Sequence, residues 1–172
     1  MLQDDTILIR IAEKKDLPEV RELLRETWHD TYGKNVSIEE LDTYLDTVYC
    51  EKNLADILNE DRENCFVAIQ SGNIIGWMRL KRDDDNDIFH LISIYVKPHL
   101  QGKGAGKLLL DQGCRIAREY RFEKITLGVM AVNKKSIEWY KKQGFVEIRR
   151  EPFTWITTTV DNIIMDKVIF FD

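Results

Sequence analysis

The chain has 172 residues, 44% hydrophobic and 32% charged, with a formal net charge of −5 at pH 7. That length buries a core without disulfides or a structural metal, so residues 1–172 are expected to form one domain, and none of its motifs calls for a metal. The acidic balance argues against general binding of nucleic acid or of anionic membranes. Cys50, Cys65 and Cys114 are odd in number and form no C-x-x-C pair, so they read as reduced thiols of a cytoplasmic protein. The opening MLQDDTILIRI has neither a basic n-region nor an apolar h-region, and no apolar run reaches the roughly 20 residues of a membrane span. Neither export nor membrane insertion is expected.

Ile7, Ile9 and Ile11 alternate with Leu8 and Arg10, which predicts a first strand, central in its sheet. Asp16 stands before Leu17-Pro18, with Glu19 three residues on. This is a helix start with an N-cap, an early proline and a capping-box acid. Leu17, Val20, Leu24, Thr27 and Trp28 continue that helix to about Tyr32, where Gly33 stops it. Ser37 with Glu40 repeats the capping box and opens a helix carrying Ile38, Leu41, Tyr44, Leu45 and Val48; a short helix over 51–58 follows. Residues 65–70 and 74–81 read as a hairpin around Ser71-Gly72-Asn73. The acidic run Asp83-Asp84-Asp85-Asn86-Asp87 reads first as a solvated turn, with attraction of a polycation as a possible addition. A strand over 88–96, a helix over 103–120, a parallel-type strand over 125–129 and a helix over 134–143 come next. Asn133 caps the last of these and Gly144 closes it. A final hairpin pairs 146–151 with 163–170 around a loop over 153–162. The order predicts an α/β fold with a mixed, mostly antiparallel sheet flanked by helices.

The chemistry centres on LISIYVKPHLQGKGAGKLLL, residues 91–110. Ile92, Ile94 and Val96 suit a buried strand, and Pro98 ends it for want of an N–H. Gly102, Gly104 and Gly106 then remove every other side chain before a helix whose N-terminus carries partial positive charge, a pattern made for phosphate or pyrophosphate. A Walker loop does not fit, because Leu108 stands where its hydroxyl belongs. The dinucleotide fingerprint fails too, because Lys107 occupies its third glycine position.

Gln101-x-x-Gly104-x-Gly106 directly after a strand resembles the acetyl-CoA pyrophosphate loop, Q/R-x-x-G-x-G/A, of the GNAT superfamily of N-acetyltransferases. Asn133-Lys-Lys-Ser136-Ile-Glu-Trp-Tyr140-Lys-Lys-Gln-Gly144-Phe145 is similar to that superfamily's second signature. The resemblance implies the GNAT fold, acetyl-CoA as co-substrate and direct ternary-complex transfer to a primary amine. It further implies that amides over Gln101, Gly102, Lys103, Gly104, Ala105, Gly106 and Lys107 hold the pyrophosphate, with Lys103 or Lys107 free to reach other phosphates. By the same resemblance, main-chain groups around Ile94, Tyr95 and Val96 serve the thioester carbonyl and the pantetheine arm, Ile94 doing the polarising. Asn133 and Ser136 contact the coenzyme, and the Tyr140 hydroxyl protonates the leaving thiolate.

Read without the motif, Tyr140 is a core aromatic beside Trp139, and Asn133 is sufficiently explained as a helix cap. Where many relatives carry a strand glutamate as base, this chain has His90. Imidazole accepts a proton at neutral pH, although a lone strand histidine is more often structural. A water chain, or an amine that arrives partly neutral, is the alternative. Trp28-His29-Asp30-Thr31-Tyr32, closing the first helix, is similar to PaiA-type polyamine N-acetyltransferases, with Trp28 and Tyr32 as acceptor-site candidates and packing as their plainer role. The threonine-rich loop 153–161 lacks the clustered acids expected beside a polyamine. The expected partner is a small-molecule amine, with a protein N-terminal amine or lysine as the second choice and a non-catalytic acyl-CoA sensor as the rival class. Dimers are common in the superfamily, but no residue here specifies a homodimer interface.

Overall fold

The structure, a computed structural model, describes residues 6–171. The opening segment read above for a leader lies partly outside that range. Seven strands form one sheet: β1 (Ile7–Ile11), β2 (Glu63–Gln70), β3 (Asn73–Asp83), β4 (Ile88–Val96), β5 (Lys124–Met130), β6 (Val146–Thr154) and β7 (Thr159–Val168). Their spatial order is β1-β2-β3-β4-β5-β7-β6. Every pairing is antiparallel except β4 with β5. α1 (Leu17–Tyr32), α2 (Ile38–Val48) and α3 (Glu51–Leu58) contribute to one apolar cluster, and α4 (Ala105–Glu119) and α5 (Lys134–Lys142) to another. The α/β architecture, element order and mostly antiparallel sheet are those expected.

The first strand is not central. Among the described residues β1 is an edge strand pairing only with β2, and Leu8 and Ile11 are 58% and 67% exposed. Alternation reports which residues share a face, but it carries no information on how many neighbours a strand has. The capping acids also differ from expectation, because tertiary donors reach them. Asp16 makes no side-chain cap bond to α1. Instead its carboxylate accepts from both Arg10 guanidinium nitrogens, at 2.7 and 2.8 Å, and from the Glu13 N–H at 2.7 Å, tying β1 to the helix start. The Arg10 hydrogen bonds hold this carboxyl below its ordinary range against the opposing effect of burial. Glu19 accepts from the Ile74 N–H at 2.8 Å.

The last hairpin is longer than expected. β6 and β7 pair as far as Thr154 and Thr159, so the tip is residues 155–158 in place of a loop over 153–162. Phe153 opposite Val160 and Thr154 opposite Thr159 are aromatic and β-branched pairs that suit a ladder.

Candidate active site

β4 pairs with β5 only at Phe89, His90 and Leu91, opposite Ile125, Thr126 and Leu127. Beyond Leu91 the two strands part, while β5 continues along β7 to Met130. On the other edge of β4 the register with β3 slips: Ser93 faces Arg79 but Leu91 faces Leu80, leaving Ile92 as the extra residue. A one-residue bulge reverses which side chains face which side of a sheet. Phe89 and Leu91 therefore pack on the α4 and α5 cluster before the bulge, and Ile94 and Val96 do so after it. Tyr95 turns to the α1 cluster, and Ile92, expected to be buried, is 37% exposed. The gap between the strands is a narrow cavity of about 80 Å³ bordered by Ile92, Ser93, Ile94, Tyr95, Val96, Asn133, Ser136 and Tyr140. The Ser93 hydroxyl, buried beside it, has no hydrogen-bond partner among the described residues.

On one side the gap opens into a cleft of about 560 Å³, lined by Ile94, Val96, Gln101, Gly102, Gly104, Ala105, Gly106, Lys107, Ser136 and Tyr140, and also by Lys135, Trp139 and Lys142. Gly102 and Gly104 have φ of +80° and +97°, and a Cβ built at either meets nothing within 4 Å. Here the left-handed backbone demands glycine, and open space lies where a ligand would approach. The Gln101 side chain braces this loop: its amide donates to the Val96 carbonyl at 3.0 Å and its oxygen accepts from Lys135 at 2.5 Å. Lys103 is exposed and does not line the cleft, and Lys107, expected to be free, is paired with Asp111. The cations on the cleft wall missed by sequence reading are Lys135 and Lys142. With Trp139 they stand at i, i+4 and i+7 of α5, a one-face spacing that could have revealed them. The cap on α5 is as expected, Asn133 accepting from the Ser136 N–H at 3.1 Å, and Gly144 has φ of +89°.

On its other side the gap meets a cavity of about 240 Å³ walled by Trp28, Tyr32, Tyr44, Tyr49, Tyr95, Phe153 and Trp155, with His90 and Asn162 at its edge. Trp155 is the hub. Its ring centroid lies 5.1 Å from Trp28, 5.3 Å from Tyr32, 5.2 Å from Tyr44 and 5.5 Å from Phe153. Trp28 and Tyr32 thus reach the cavity, whereas Asp30, in the same motif, is exposed and contributes nothing to its wall. Among the described residues no Asp or Glu lines the cavity, and the run 83–87 stays outside all three spaces, Asp84 and Asp85 pairing with Arg62.

A family model described as the Acetyltransferase (GNAT) family matches residues 17–145, three quarters of the chain. The chain belongs to the GNAT acetyltransferase family. Among curated proteins it is 26% identical to the spermidine N(1)-acetyltransferase of Thermoplasma acidophilum, over 81% of this chain and 88% of that one. It is also 26% identical to an uncharacterised N-acetyltransferase in the pepI 3′ region of Lactobacillus delbrueckii subsp. lactis, over 85% and 87%. Among solved structures, the PaiA N-acetyltransferase of Thermoplasma acidophilum in complex with coenzyme A superposes with a TM-score of 0.82 at 24% identity, over 95% and 99%. The ribosomal-protein-S18-alanine N-acetyltransferase of Escherichia coli does so with 0.70 at 21%, over 97% and 96%. The expected GNAT fold, enzyme class and acetyl-CoA co-substrate are borne out at the level of the family, and the expected likeness appears as a spermidine N(1)-acetyltransferase in one comparison and a PaiA structure in the other. Among the described residues no helix is long and apolar enough to cross a membrane.

In this GNAT chain the titratable groups fall on two sides of the gap. Tyr140 borders the gap and the glycine-loop cleft and is 8% exposed; burial raises its phenol well above the ordinary range, and the nearby Tyr32 phenol adds to the rise. His90 borders the aromatic cavity and is displaced downward, first by burial and further by Lys81, with Asp83 opposing. Burial likewise raises Tyr32, whose phenol lies beside the Asn133 side chain, and Tyr95. At neutral pH the site therefore presents a protonated phenol on the glycine-loop side and an uncharged imidazole on the aromatic side.

Proposed function

We propose that this enzyme acetylates a small primary amine, with a polyamine as first choice, the amine seated in the aromatic cavity and the coenzyme in the glycine-loop cleft. The observation that carries this reading is the parting of β4 from β5, which joins a lysine-edged cleft on one side of the gap to an aromatic cavity on the other. The cleft fits the coenzyme. Its open left-handed glycines clear an approach to backbone N–H groups at the start of α4, Lys135 and Lys142 suit phosphates, and the narrow gap bordered by the unpartnered Ser93 hydroxyl suits an amide-bearing arm. When bound, acetyl-CoA supplies a thioester activated toward attack by an amine.

The remaining work belongs to this chain. Main-chain N–H groups near Ile94, on the strand freed from β5, polarise the acyl oxygen. The Tyr140 hydroxyl, kept protonated by burial, delivers its proton to the leaving sulfur. His90, kept neutral, accepts the proton of the incoming ammonium directly or through one water. Gln101 braces the loop, and Asn133 and Ser136 hold the start of α5 against the gap. Aromatic faces hold an ammonium by cation–π attraction, and a cavity of about 240 Å³ suits a small acceptor better than a folded chain. The 26% identity to a spermidine acetyltransferase supports a polyamine, and the absence of lining carboxylates favours an acceptor with few charges inside the cavity.

Free-thiol release from acetyl-CoA, measured against spermidine, spermine, diamines, amino acids and short peptides, tests the proposal. Turnover with polyamines or small amines is the expected result. Turnover with peptides alone would transfer the reading to protein N-terminal or lysine acetylation, and stabilisation by acetyl-CoA with no turnover would make the chain an acyl-CoA sensor.

A further inference from the structure

Glu40 stands at the third position of α2, where its spacing from Ser37 predicts a capping box. Half of that box forms: the Glu40 N–H donates to the Ser37 hydroxyl at 3.2 Å. The carboxylate instead crosses to the β6–β7 tip. Its Oε1 accepts from the backbone N–H groups of Ile156 at 3.1 Å, Thr157 at 2.7 Å and Thr158 at 2.9 Å, and from the Thr157 hydroxyl at 3.2 Å. Its Oε2 accepts from the Thr158 hydroxyl at 2.8 Å. One side chain thus satisfies three successive amides at a hairpin tip, where amides otherwise face solvent. Within the tip the Trp155 N–H donates to the Thr158 carbonyl at 3.0 Å, and the Thr154 and Thr159 hydroxyls meet at 2.7 Å across its base.

The latch sits next to the cavity. Trp155, immediately before the three bonded amides, packs against Trp28, Tyr32, Tyr44 and Phe153. Tyr44 lies one helical turn beyond Glu40, on the same face of α2. We infer that Glu40 is a positioning residue that latches the β6–β7 tip to α2, sets Trp155 as a wall of the aromatic cavity and thereby governs affinity and size selection for the acceptor. This rests on reading that cavity as the acceptor site. The bonds from the tip, led by the Thr157 and Thr158 amides, hold the Glu40 carboxyl down at about 2, so the latch stays charged throughout the neutral range.

The test compares Glu40→Ala and the isosteric Glu40→Gln with wild type, and uses Glu39→Ala, an exposed neighbour, as control. Amide hydrogen exchange over residues 156–158 is measured alongside steady-state kinetics on the best amine and the dissociation constant for acetyl-CoA. In Glu40→Ala, exchange at the three amides is expected to quicken by about tenfold and the amine KM to rise by about tenfold, as fits loss of hydrogen bonds to a charged group. kcat and acetyl-CoA affinity should stay within about twofold, and the KM ratio between bulky and compact amines should fall. Glu40→Gln, which keeps size and one acceptor oxygen, should lie between, and Glu39→Ala should match wild type. Unchanged exchange in both Glu40 variants would overturn the latch. Faster exchange with KM, kcat and acetyl-CoA affinity all impaired together would overturn its acceptor-specific role. If wild type itself turns over no amine, the acceptor reading of the cavity fails, and the exchange measurement still decides whether the tip is latched.

Discussion

The glycine-loop cleft and the aromatic cavity meet at one gap in the sheet yet are assembled in opposite ways. The cleft comes from two short continuous stretches, 94–107 and 135–142, and its character is set by backbone: left-handed glycines, a helix start and a strand freed from its neighbour. The cavity draws its walls from α1, α2, the segment after it, β4, β5, and β6 and β7 with their tip, and its character is set by side chains from elements far apart in the chain. A site made of backbone survives sequence change as long as its glycines and turn residues persist. A site made of convergent side chains can be re-specified without touching the transfer machinery, which is how one fold serves many acceptors.

That contrast can be broken where the two regions touch. Tyr140→Phe removes the phenolic proton while keeping the ring in its contacts with Trp139 and Phe145, so kcat is expected to fall about a hundredfold with acetyl-CoA affinity nearly unchanged. Equal loss of both, by steady-state kinetics and calorimetry, would make it a packing residue. His90→Gln is expected to lower kcat/KM by about tenfold at neutral pH and to abolish the acid limb of the pH profile. In wild type that limb must lie below the ordinary imidazole value of about 6.5, because the folded protein disfavours the charged ring. By the same linkage the unfolded chain takes up the proton first, so the stability that the neutral ring contributes is lost as pH falls below that value. A profile over pH 5 to 9 that is identical in the variant would remove His90 as base.

The glycine side is probed by Gly104→Val, which places a β-branched residue at φ +97°. Such strain costs about 1–3 kcal/mol and blocks the ligand's approach, so coenzyme affinity should drop about tenfold or more while thermal unfolding stays cooperative. The smallest effect sharpens the contrast most. Lys135→Ala should weaken coenzyme binding a few-fold, with Lys103→Ala near wild type, because only the former lines the cleft. The reverse order would restore the motif-based assignment of Lys103.

Much of the cleft was legible because its determinants are local. The glycine spacing, Asn133 as a cap and Tyr140 on the last helix all depend on neighbours within a turn or two. Lys135 is legible only in the i, i+4, i+7 face it shares with Trp139 and Lys142 on α5, because the glycine-loop motif points to Lys103 and Lys107 instead. The aromatic cavity is half legible: Trp28 and Tyr32 stand in a motif closing the first helix, but Asp30 beside them faces solvent and Trp155 lies in a stretch whose threonines predict a loop. The capping acids teach the same lesson. Glu19 and Glu40 have capping-box spacing, yet a backbone N–H of β3 and three from a distant hairpin tip claim their carboxylates.

By itself the sequence determined the element order, the mixed sheet, the glycine-rich loop between strand and helix, and the family, because periodicity, turn chemistry and motif spacing act over short stretches of chain. Only the tertiary structure decided that β1 lies at an edge, that a bulge at Ile92 reverses the faces of β4, that β4 leaves β5 after Leu91, and that Glu40 pins the tip carrying Trp155. The reason is physical. Register, strand neighbours and the choice among competing hydrogen-bond partners are settled by groups far apart in the chain, whose encounter only the folded packing brings about.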